Sequence, residues 1–440
     1  MSLRSSRRSV AVVASGMAAA FLFVALCAAC SNSSNSAPSG GPGTAPGVTS
    51  NSVTVGSLAT LSGQLSAGFG DIVYGVKAYF DMVNAEGGIG GRRIDLKYVA
   101  DDAGNPTTDE DQARNLVQQD HVFAIVGVGS PFFTATEYLA RTGTPTFGYM
   151  VSSNWANYPN LFGAYSSVLA FNTNESNVAF VAKQLSARSV GVIAYGAVPQ
   201  SKQACSAVVD GFQRFGVPVG FEDLHLQIYG DPTADVQQMV SHHVDLLFTC
   251  LDGAENLKVV QTMHQYGLGN VHTIWENGYD RATVDQNPSV MVGSIFALQH
   301  VPFEAVQAFP GAYPGMAQYL AVMDRYEPQW TYDDISIQGW INAAQFVAGL
   351  RAVGRDLTQQ RLLAALNSET AFTAGGLMPP VNWKQAHTSA PPPYCSSYVE
   401  VMPGAKLKPV FVQHGDQTLI CFDNSSDRPL PLGAHVPPSG

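Results

Sequence analysis

The stretch Val55-Gly56-Ser57-Leu58-Ala59-Thr60-Leu61-Ser62-Gly63 decides the fold of this 440-residue chain. Its first half is apolar and β-branched, so residues 53–58 are predicted to form a buried strand. A helix is predicted over residues 71–85, where apolar side chains recur at helical spacing. The glycines within 87–91 end that helix before a predicted strand over 93–99. The chain therefore opens in β-α-β order, which is typical of a parallel sheet covered by helices.

The same alternation continues through most of the chain. Apolar and β-branched runs predict strands over residues 123–126, 146–149, 190–194, 219–222, 244–249, 271–275 and 291–297. Amphipathic spacing predicts helices over residues 109–120, 134–141, 177–185, 201–215, 234–241 and 254–266. Three further helices, over 315–326, 335–352 and 358–365, precede a Pro-rich antiparallel ribbon with strands at 397–401 and 409–413. This pattern predicts an α/β protein with two doubly wound parallel sheets in tandem.

Composition indicates a folded, acidic protein. Of its residues 46% are hydrophobic and 13% are charged, and the formal net charge is −11. This apolar content excludes a disordered chain and supplies enough surface for two or three cores. Because no cluster of Lys or Arg occurs beyond the first ten residues, the sequence disfavours nucleic acid as a partner.

The N-terminus has the pattern of an export signal. Three arginines precede an apolar stretch over 10–26, which is shorter than the ~20 residues that span a bilayer. Ala28-Ala29-Cys30 resembles the bacterial lipoprotein box, although Cys27 stands where that box prefers Leu. We therefore expect residues 1–29 to be a signal peptide and Cys30 to be acylated. The alternative is an ordinary cleavage nearby that leaves a soluble exported protein.

Residues 30–51 are predicted to be the acylated cysteine and a flexible tether. Beyond Cys30 the segment consists almost entirely of Ser, Asn, Gly, Pro, Ala and Thr. Such a composition cannot bury enough apolar surface to offset the entropy lost on ordering. Together these features predict a globular protein held by a lipid anchor at the extracytoplasmic face of the cell membrane.

The remaining cysteines are Cys205, Cys250, Cys395 and Cys421. An even number in an oxidising compartment indicates two disulfides. Three pairings are possible, and we favour Cys205–Cys250 with Cys395–Cys421 because each pair lies within one region of the predicted layout. A zinc site is the alternative, but the spacing lacks the close cysteine pairs that structural zinc sites use.

Six segments are distributed over residues 52 to about 412. They are VGSLATLSG at 55–63, NAEGGIGGR at 84–92 with VADD at 99–102, AIVGVGS at 124–130, GTPT at 143–146, VDLLF at 244–248 and GLMPPVNW at 376–383. In order and spacing these segments resemble the type I periplasmic binding proteins, and the nearest branch is the leucine/isoleucine/valine-binding family.

This resemblance implies two doubly wound lobes joined by three crossovers, with a small ligand trapped between them. By analogy, lobe I comprises residues 52–172 plus 296–392, and lobe II comprises residues 173–295 plus 393–440. The cleft would lie at the carboxyl ends of the parallel strands, where open α/β sheets bind ligands. Helix N-termini in such a cleft favour an anionic group.

The family's pattern also implies candidate ligand-binding residues in the first lobe. Ser130 and Ser153 match the hydroxyls that bind the ligand's carboxylate, and Ser152 replaces Ser153 if the register slips by one residue. The backbone carbonyl of Val151 would accept a hydrogen bond from the ligand's ammonium group. Phe69 stands where the family often has a tyrosine that packs on the ligand.

In the second lobe the sequence departs from amino-acid binders. They place an acid directly before a glycine, whereas here Asn277 precedes the glycine and Glu276 lies one residue earlier. A shift of one residue would restore the acid; otherwise the ligand need not be an amino acid. Gln200 replaces a cleft-lining aromatic, and Asp252 lies at a strand end. Aromatic side chains in the same loops could line a pocket for an apolar or aromatic acid, and they include Trp155, Trp275, Phe132, Phe133 and Tyr279.

The sequence and the resemblance together predict a solute-binding lipoprotein of an ATP-driven importer. Its partners would be a small carboxylate, either an amino acid or an aromatic acid, and a membrane permease. We expect a monomer without cofactor or metal. The alternatives are a ligand sensor with the same fold and an exported hydrolase. The hydrolase is disfavoured because G-x-S-x-G, H-E-x-x-H and P-loop motifs are missing from the sequence.

Overall fold

A computed structural model describes residues 45–63, 65–150, 152–165, 176–387, 394–423 and 425–431. The predicted signal peptide, Cys30, the first part of the tether and Val151 lie outside these residues. Within them the chain forms two sheets, each flanked by helices. We refer to each sheet with its packed helices as the first and the second lobe.

The first sheet has five parallel strands in the order β2-β1-β3-β4-β5. Its strands are β1 (Ser52–Ala59), β2 (Arg93–Asp101), β3 (Ala124–Gly129), β4 (Thr146–Gly148) and β5 (Leu161–Gly163). Strand β3 is buried along its whole length, as the continuous run AIVGVG predicts for a strand covered on both faces.

The second sheet has eight strands. They are β6 (Val190–Tyr195), β7 (Val219–Leu226), β8 (Leu246–Cys250), β9 (His272–Trp275), β10 (Ser294–Leu298), β11 (Tyr394–Met402), β12 (Lys406–Val410) and β13 (Ile420–Phe422). The order is β12-β11-β10-β9-β8-β6-β7, and β13 pairs with β11. Strands β6 to β10 are parallel, whereas β11 to β13 pair antiparallel. The predicted α/β fold with two parallel sheets is confirmed.

Helices fill the connections between the strands. They are α1 (Ile72–Ala85), α2 (Pro106–Gln118), α3 (Thr136–Thr142), α4 (Ser176–Gln184), α5 (Pro199–Arg214), α6 (Thr233–Ser241), α7 (Gly253–Gln265), α8 (Arg281–Gln286), α9 (Ala305–Ala308), α10 (Pro314–Tyr326), α11 (Asp334–Val353) and α12 (Gln359–Leu366). None of the helices in the described ranges combines the length and apolar character needed to cross a membrane.

The structure differs from the sequence prediction at three points: the start of β10, one lobe boundary and the end of the tether. Strand β10 begins at Ser294 rather than at residue 291, because Met291 and Gly293 form a turn in which Ser294 N–H donates to the Met291 carbonyl at 2.9 Å. All of β10 belongs to the second sheet, so the expected lobe boundary at 295/296 cuts through a strand.

The end of the expected tether is part of the folded first lobe. Val48 bridges Val53, and Arg92 Nε donates to the Thr49 carbonyl at 2.8 Å.

Close packing of α1 against α11 sets the geometry of the first lobe. A Cβ atom added at Gly75 would lie 1.8 Å from the Ser336 carbonyl oxygen, and one added at Gly339 would lie 1.8 Å from the Ile72 carbonyl oxygen. Only glycine allows this approach. The packing brings the start of α1, at Asp71, together with the start of α11, at Asp333 and Asp334, on the side that faces the second lobe.

Candidate ligand-binding site

A cavity of about 550 Å³ lies between the two lobes. In the first lobe, Pro131 follows β3 and Tyr149 follows β4 at its wall. In the second lobe, Tyr195 ends β6, Cys250 ends β8 and Asn277 comes two residues after β9. The cavity therefore lies at the carboxyl ends of both parallel sheets, the edge at which open α/β sheets bind ligands.

Aromatic side chains form much of the cavity wall. Phe69 and Tyr149 come from the first lobe, with ring centroids 5.9 Å apart, and Tyr195 and Tyr229 come from the second. Tyr229 has a φ of 54°, in the left-handed region that non-glycine residues seldom adopt. Its loop is fixed by Lys258, whose Nζ donates to the Tyr229 carbonyl at 3.2 Å. These rings can enclose an apolar or aromatic body.

The polar lining of the cavity is acidic. Five aspartates line it, namely Asp71, Asp252, Asp280, Asp333 and Asp334. Within the described part of the chain, no Lys, Arg or His lines it. Such a lining creates a negative potential in a space partly shielded from solvent.

Three of these aspartates begin helices. Asp252 Oδ1 accepts from Ala254 N at 2.9 Å at the start of α7. Asp280 Oδ1 accepts from Ala282 N at 2.8 Å at the start of α8. Asp333 Oδ1 accepts from Ser336 N at 2.7 Å at the start of α11, and its Oδ2 accepts from Trp330 Nε1 at 2.5 Å. These are ordinary N-cap interactions, and they occupy N–H groups that could otherwise bind an anion.

Asp71 differs from the three capping aspartates. It occupies the N-cap position of α1, yet its side chain makes no cap hydrogen bond among the described residues. Burial, and then the charge of Asp280, raise its pKa above the usual value. Burial likewise raises the pKa of Asp333 to about 8, with a contribution from Asp71, and that of Asp334 to about 7, with a contribution from Asp280. The four carboxyl groups thus share one end of the cavity and oppose one another's ionisation.

The two lobes touch each other beside this acidic end. Tyr149 Oη donates to Asn277 Oδ1 at 2.8 Å. An antiparallel bridge joins Asp280 to Asp333, next to a hydrogen bond of 2.8 Å from Arg281 N to the Tyr332 carbonyl. The structure therefore shows an arrangement in which loops of both lobes are hydrogen-bonded across the cleft.

Both disulfides join the predicted partners. Cys205 of α5 is bonded to Cys250 of β8, and Cys395 of β11 is bonded to Cys421 of β13. The first disulfide lies at the cavity, because Cys250 belongs to its lining. It holds helix α5 against the end of β8.

Four of the residues that the sequence analysis singled out line the cavity. They are Phe69, Gln200, Asp252 and Tyr279. Asp252 also accepts a hydrogen bond of 2.5 Å from Tyr195 Oη, so its carboxylate is bound to a neighbouring cavity residue as well as to its own helix.

The three serines expected to bind a carboxylate lie elsewhere. Ser130 is 1% exposed, and its Oγ accepts from Phe132 N at 3.4 Å, so its side chain is engaged within its own turn. Ser152 Oγ is buried with no hydrogen-bond partner among the described residues, and Ser153 is exposed. Tyr149 and Met150 occupy this part of the wall instead. The expectation that these serines bind the ligand stays a prediction, and none of them is among the residues that line this cavity.

The two tryptophans are core residues. Trp155 is fully buried and packs on Phe133 with centroids 5.0 Å apart. Trp275 is 1% exposed, packs edge-on against Phe296 at 5.2 Å, and donates from Nε1 to Thr273 Oγ1 at 2.9 Å. Glu276 is 8% exposed and does not line the cavity, whereas the next four residues do.

Several cavity residues were missed in the sequence. Three of them lie at helix starts, namely Asp71, Asp333 and Asp334. An acidic residue just before an apolar helical pattern is the sequence signal that could have predicted them. Tyr195 ends a predicted strand region, and Tyr229 lies in the loop after β7. An aromatic residue at the carboxyl end of a strand was a usable signal for the first of these.

Comparison with known proteins places the chain in a family. The family model for periplasmic binding proteins matches residues 52–399. No curated protein sequence matches the chain significantly. Solved structures do match, at low sequence identity, and they show the fold.

Three of these structures illustrate the likeness. A fatty acid ABC transporter substrate-binding protein from Thermomonospora curvata has a TM-score of 0.69 at 17% identity, covering 89% of this chain and 97% of that chain. An ABC transporter solute-binding protein from R. palustris in complex with benzoate has a TM-score of 0.67 at 17% identity, covering 82% and 96%. The branched-chain amino acid transporter substrate-binding protein LivJ from Streptococcus pneumoniae, in complex with isoleucine, has a TM-score of 0.66 at 14% identity, covering 81% and 98%. With its two parallel sheets and the match over residues 52–399, this chain belongs to the periplasmic binding protein family and has the type I fold.

Proposed function

We propose that the protein is the extracytoplasmic solute-binding component of an ATP-driven importer. The observation that carries this proposal is the cavity of about 550 Å³, which both lobes line at the carboxyl ends of their parallel strands. This volume lies within the range that encloses a small organic molecule. A ligand that touches both lobes stabilises the closed arrangement by its differential affinity, and a permease can then recognise that arrangement.

Structural relatives support this proposal. The three proteins described above are substrate- or solute-binding proteins of ABC transporters: one is a fatty acid transporter's protein, and the other two are in complex with benzoate and with isoleucine. These ligands differ in size and polarity but are all small organic molecules. A binding role with a permease partner is therefore favoured over catalysis.

The expected carboxylate ligand receives less support from the cavity itself. Ser130, Ser152 and Ser153 do not line it, and neither does Glu276. Its described lining offers carboxylates, tyrosines and apolar surface, together with the amides of Gln200 and Asn277 and a few hydroxyl groups. The ligand class is taken up in the next subsection.

Binding can be tested by a thermal-shift screen of the purified protein against a broad set of amino acids, fatty acids, aromatic acids, amines and sugars. A true ligand raises the melting temperature in proportion to RT ln(1 + [L]/Kd). Phe69→Ala should reduce that shift, whereas Tyr158→Phe, outside the cavity, should leave it unchanged. Chemical conversion of a bound solute would contradict the proposal, as would failure of every solute to bind.

Membrane attachment through Cys30 is a separate part of the proposal. It rests on Ala28-Ala29-Cys30 and on the small polar residues that follow. Cys30→Ala should release the protein from the membrane fraction, whereas Ser34→Ala in the same segment should not. If the Cys30→Ala protein still fractionates with membranes, the anchor proposal is wrong and the binding proposal is unaffected.

A further inference from the structure

The geometry of the cavity points to a ligand that carries an ammonium group on an apolar or aromatic body. This inference rests on the proposed function and specifies the ligand class for the same cavity. It replaces the carboxylate expected from sequence.

Charge is the first step of the argument. Five aspartates line the cavity, and within the described residues no cationic side chain does. Two cations on the surrounding elements are bound to other groups: Lys258 to the Tyr229 and Gly230 carbonyls, and Arg281 to Asp285 at 2.7 Å. A carboxylate entering this space would meet carboxyl groups and no cationic partner among the described lining residues, which is unfavourable away from bulk water.

Helix N-termini, the usual alternative for binding an anion, are capped by aspartates at three of the helices that begin at the cavity. Asp252, Asp280 and Asp333 accept from the first free N–H groups of α7, α8 and α11. Helix α5 has no side-chain cap, and it starts with Pro199, which has no N–H. At α7, α8 and α11 the cavity thus presents carboxylate acceptors, which themselves fill the donor positions.

The carboxylate of Asp71 is an acceptor that does not cap a helix in the described structure. Its side chain makes no cap hydrogen bond in the described structure, unlike those of the three capping aspartates. It is half-buried at the junction of the lobes, near Asp280 and Asp333. An ammonium group at this end would be shared by carboxylates of both lobes, and it would relieve their mutual repulsion.

The aromatic walls suit the rest of such a ligand. Phe69 and Tyr149 lie next to the acidic end, because Phe69 is two residues before Asp71 and Tyr149 is hydrogen-bonded to Asn277. Ring faces attract cations as well as apolar groups. An anion would be repelled by those same faces.

Matched probes test the inference. We would measure binding of 2-phenylethylamine, 2-phenylethanol and 3-phenylpropanoate to the full mature protein by calorimetry, together with the alkyl series hexylamine, hexanol and heptanoate. The amines should bind at least tenfold more tightly than the carboxylates of similar size. Asp71→Asn should weaken amine binding about tenfold or more and leave alcohol binding unchanged, because one charge-assisted interaction is lost. Asp111→Asn, on the exposed face of α2, should change neither.

Amine affinity measured over a pH series distinguishes an electrostatic effect from a purely steric one, which should not depend on pH. Amine affinity should rise between pH 6 and pH 8, since the ammonium group stays charged while Asp333 and Asp334, whose pKa values are about 8 and about 7, lose their protons. The groups that face these carboxyls are Asp71, Asp280 and the buried Tyr149, Tyr165 and Tyr319.

Carboxylates binding as tightly as amines would overturn this inference and leave the solute-binding proposal intact. Unchanged amine affinity in Asp71→Asn, or amine affinity that falls with pH, would also overturn it. Absence of binding by amines, alcohols and carboxylates alike would count against both proposals.

Discussion

Tyr149 Oη lies 2.8 Å from Asn277 Oδ1, to which it donates a hydrogen bond across the cleft. Tyr149 follows the last residue of β4, and Asn277 comes two residues after β9. One hydrogen bond therefore joins the carboxyl ends of strands in different sheets, at the wall of the cavity. Both side chains also line the cavity, so we expect a bound ligand to affect this contact between the lobes.

A double-mutant cycle on this pair should show a coupling of ~0.5–1.5 kcal/mol in the free energy of unfolding. Tyr149→Phe removes the donor and Asn277→Ala removes the acceptor, so the double variant should lose less than the sum of the single variants. Chemical denaturation measures each value. Tyr158→Phe is the matched control and should show no coupling with Asn277→Ala, since its ring lies outside the cavity.

The pH dependence of stability should reveal Asp334. Burial raises its pKa from 3.8 to about 7, so the folded protein retains a proton that the unfolded chain has lost. Its contribution to the free energy of unfolding is therefore fully present below pH 3.8 and falls as pH rises to about 7. Asp334→Asn should flatten the decline measured by denaturation between pH 4 and pH 8. Asp111→Asn should leave the slope as it is, and an equal change in both variants would contradict the assignment.

The two disulfides should differ in what they control. Replacing Cys395 and Cys421 together with alanine should cost ~2–4 kcal/mol of stability through the loop they close, with ligand affinity unchanged. Replacing Cys205 and Cys250 together should have a similar cost and should also weaken binding, because Cys250 lines the cavity. Denaturation and calorimetry on both variants test this. Equal affinity in the two double variants would show that the first disulfide does not shape the site.

Tryptophan and cavity variants should separate stability from binding. Trp155→Ala should cost ~3–5 kcal/mol, since the ring is fully buried and its removal leaves a void. Phe69→Ala should lower stability by less, because the ring is only partly buried, yet it should weaken ligand binding. Melting temperature and affinity measured on both proteins decide the matter. If the Trp155→Ala protein still folds but binds ligand much more weakly, Trp155 contributes to the binding site.

Most of the fold could be predicted from hydrophobic periodicity, and the exceptions have physical reasons. Strand β5 has three residues and helix α8 has six, so neither is long enough to show a repeat. The apolar run over residues 291–297 predicts one continuous strand, but a turn at Gly293, with a φ of 87°, delays the start of β10 to Ser294.

The candidate site could be predicted only in part, because lining depends on which side of a loop faces the other lobe. Gln200 in the first turn of α5 and Asp252 two residues after β8 were predicted and line the cavity. Ser130 directly follows β3, yet it is buried in its own lobe, as Trp155 is. Asp71 and Asp334 reach the cavity through the packing of α1 on α11, which no local pattern encodes.

The N-cap hydrogen bonds at the cavity also limit which substitutions can change ligand specificity without a loss of stability. Substituting Asp252, Asp280 or Asp333 changes the ligand's surroundings and the start of a helix at once, so each such change carries a folding cost of ~0.5–2 kcal/mol. Asp71 has no such second duty. We therefore expect natural variation in ligand preference among close homologues to accumulate at Asp71 before it reaches the three capping positions.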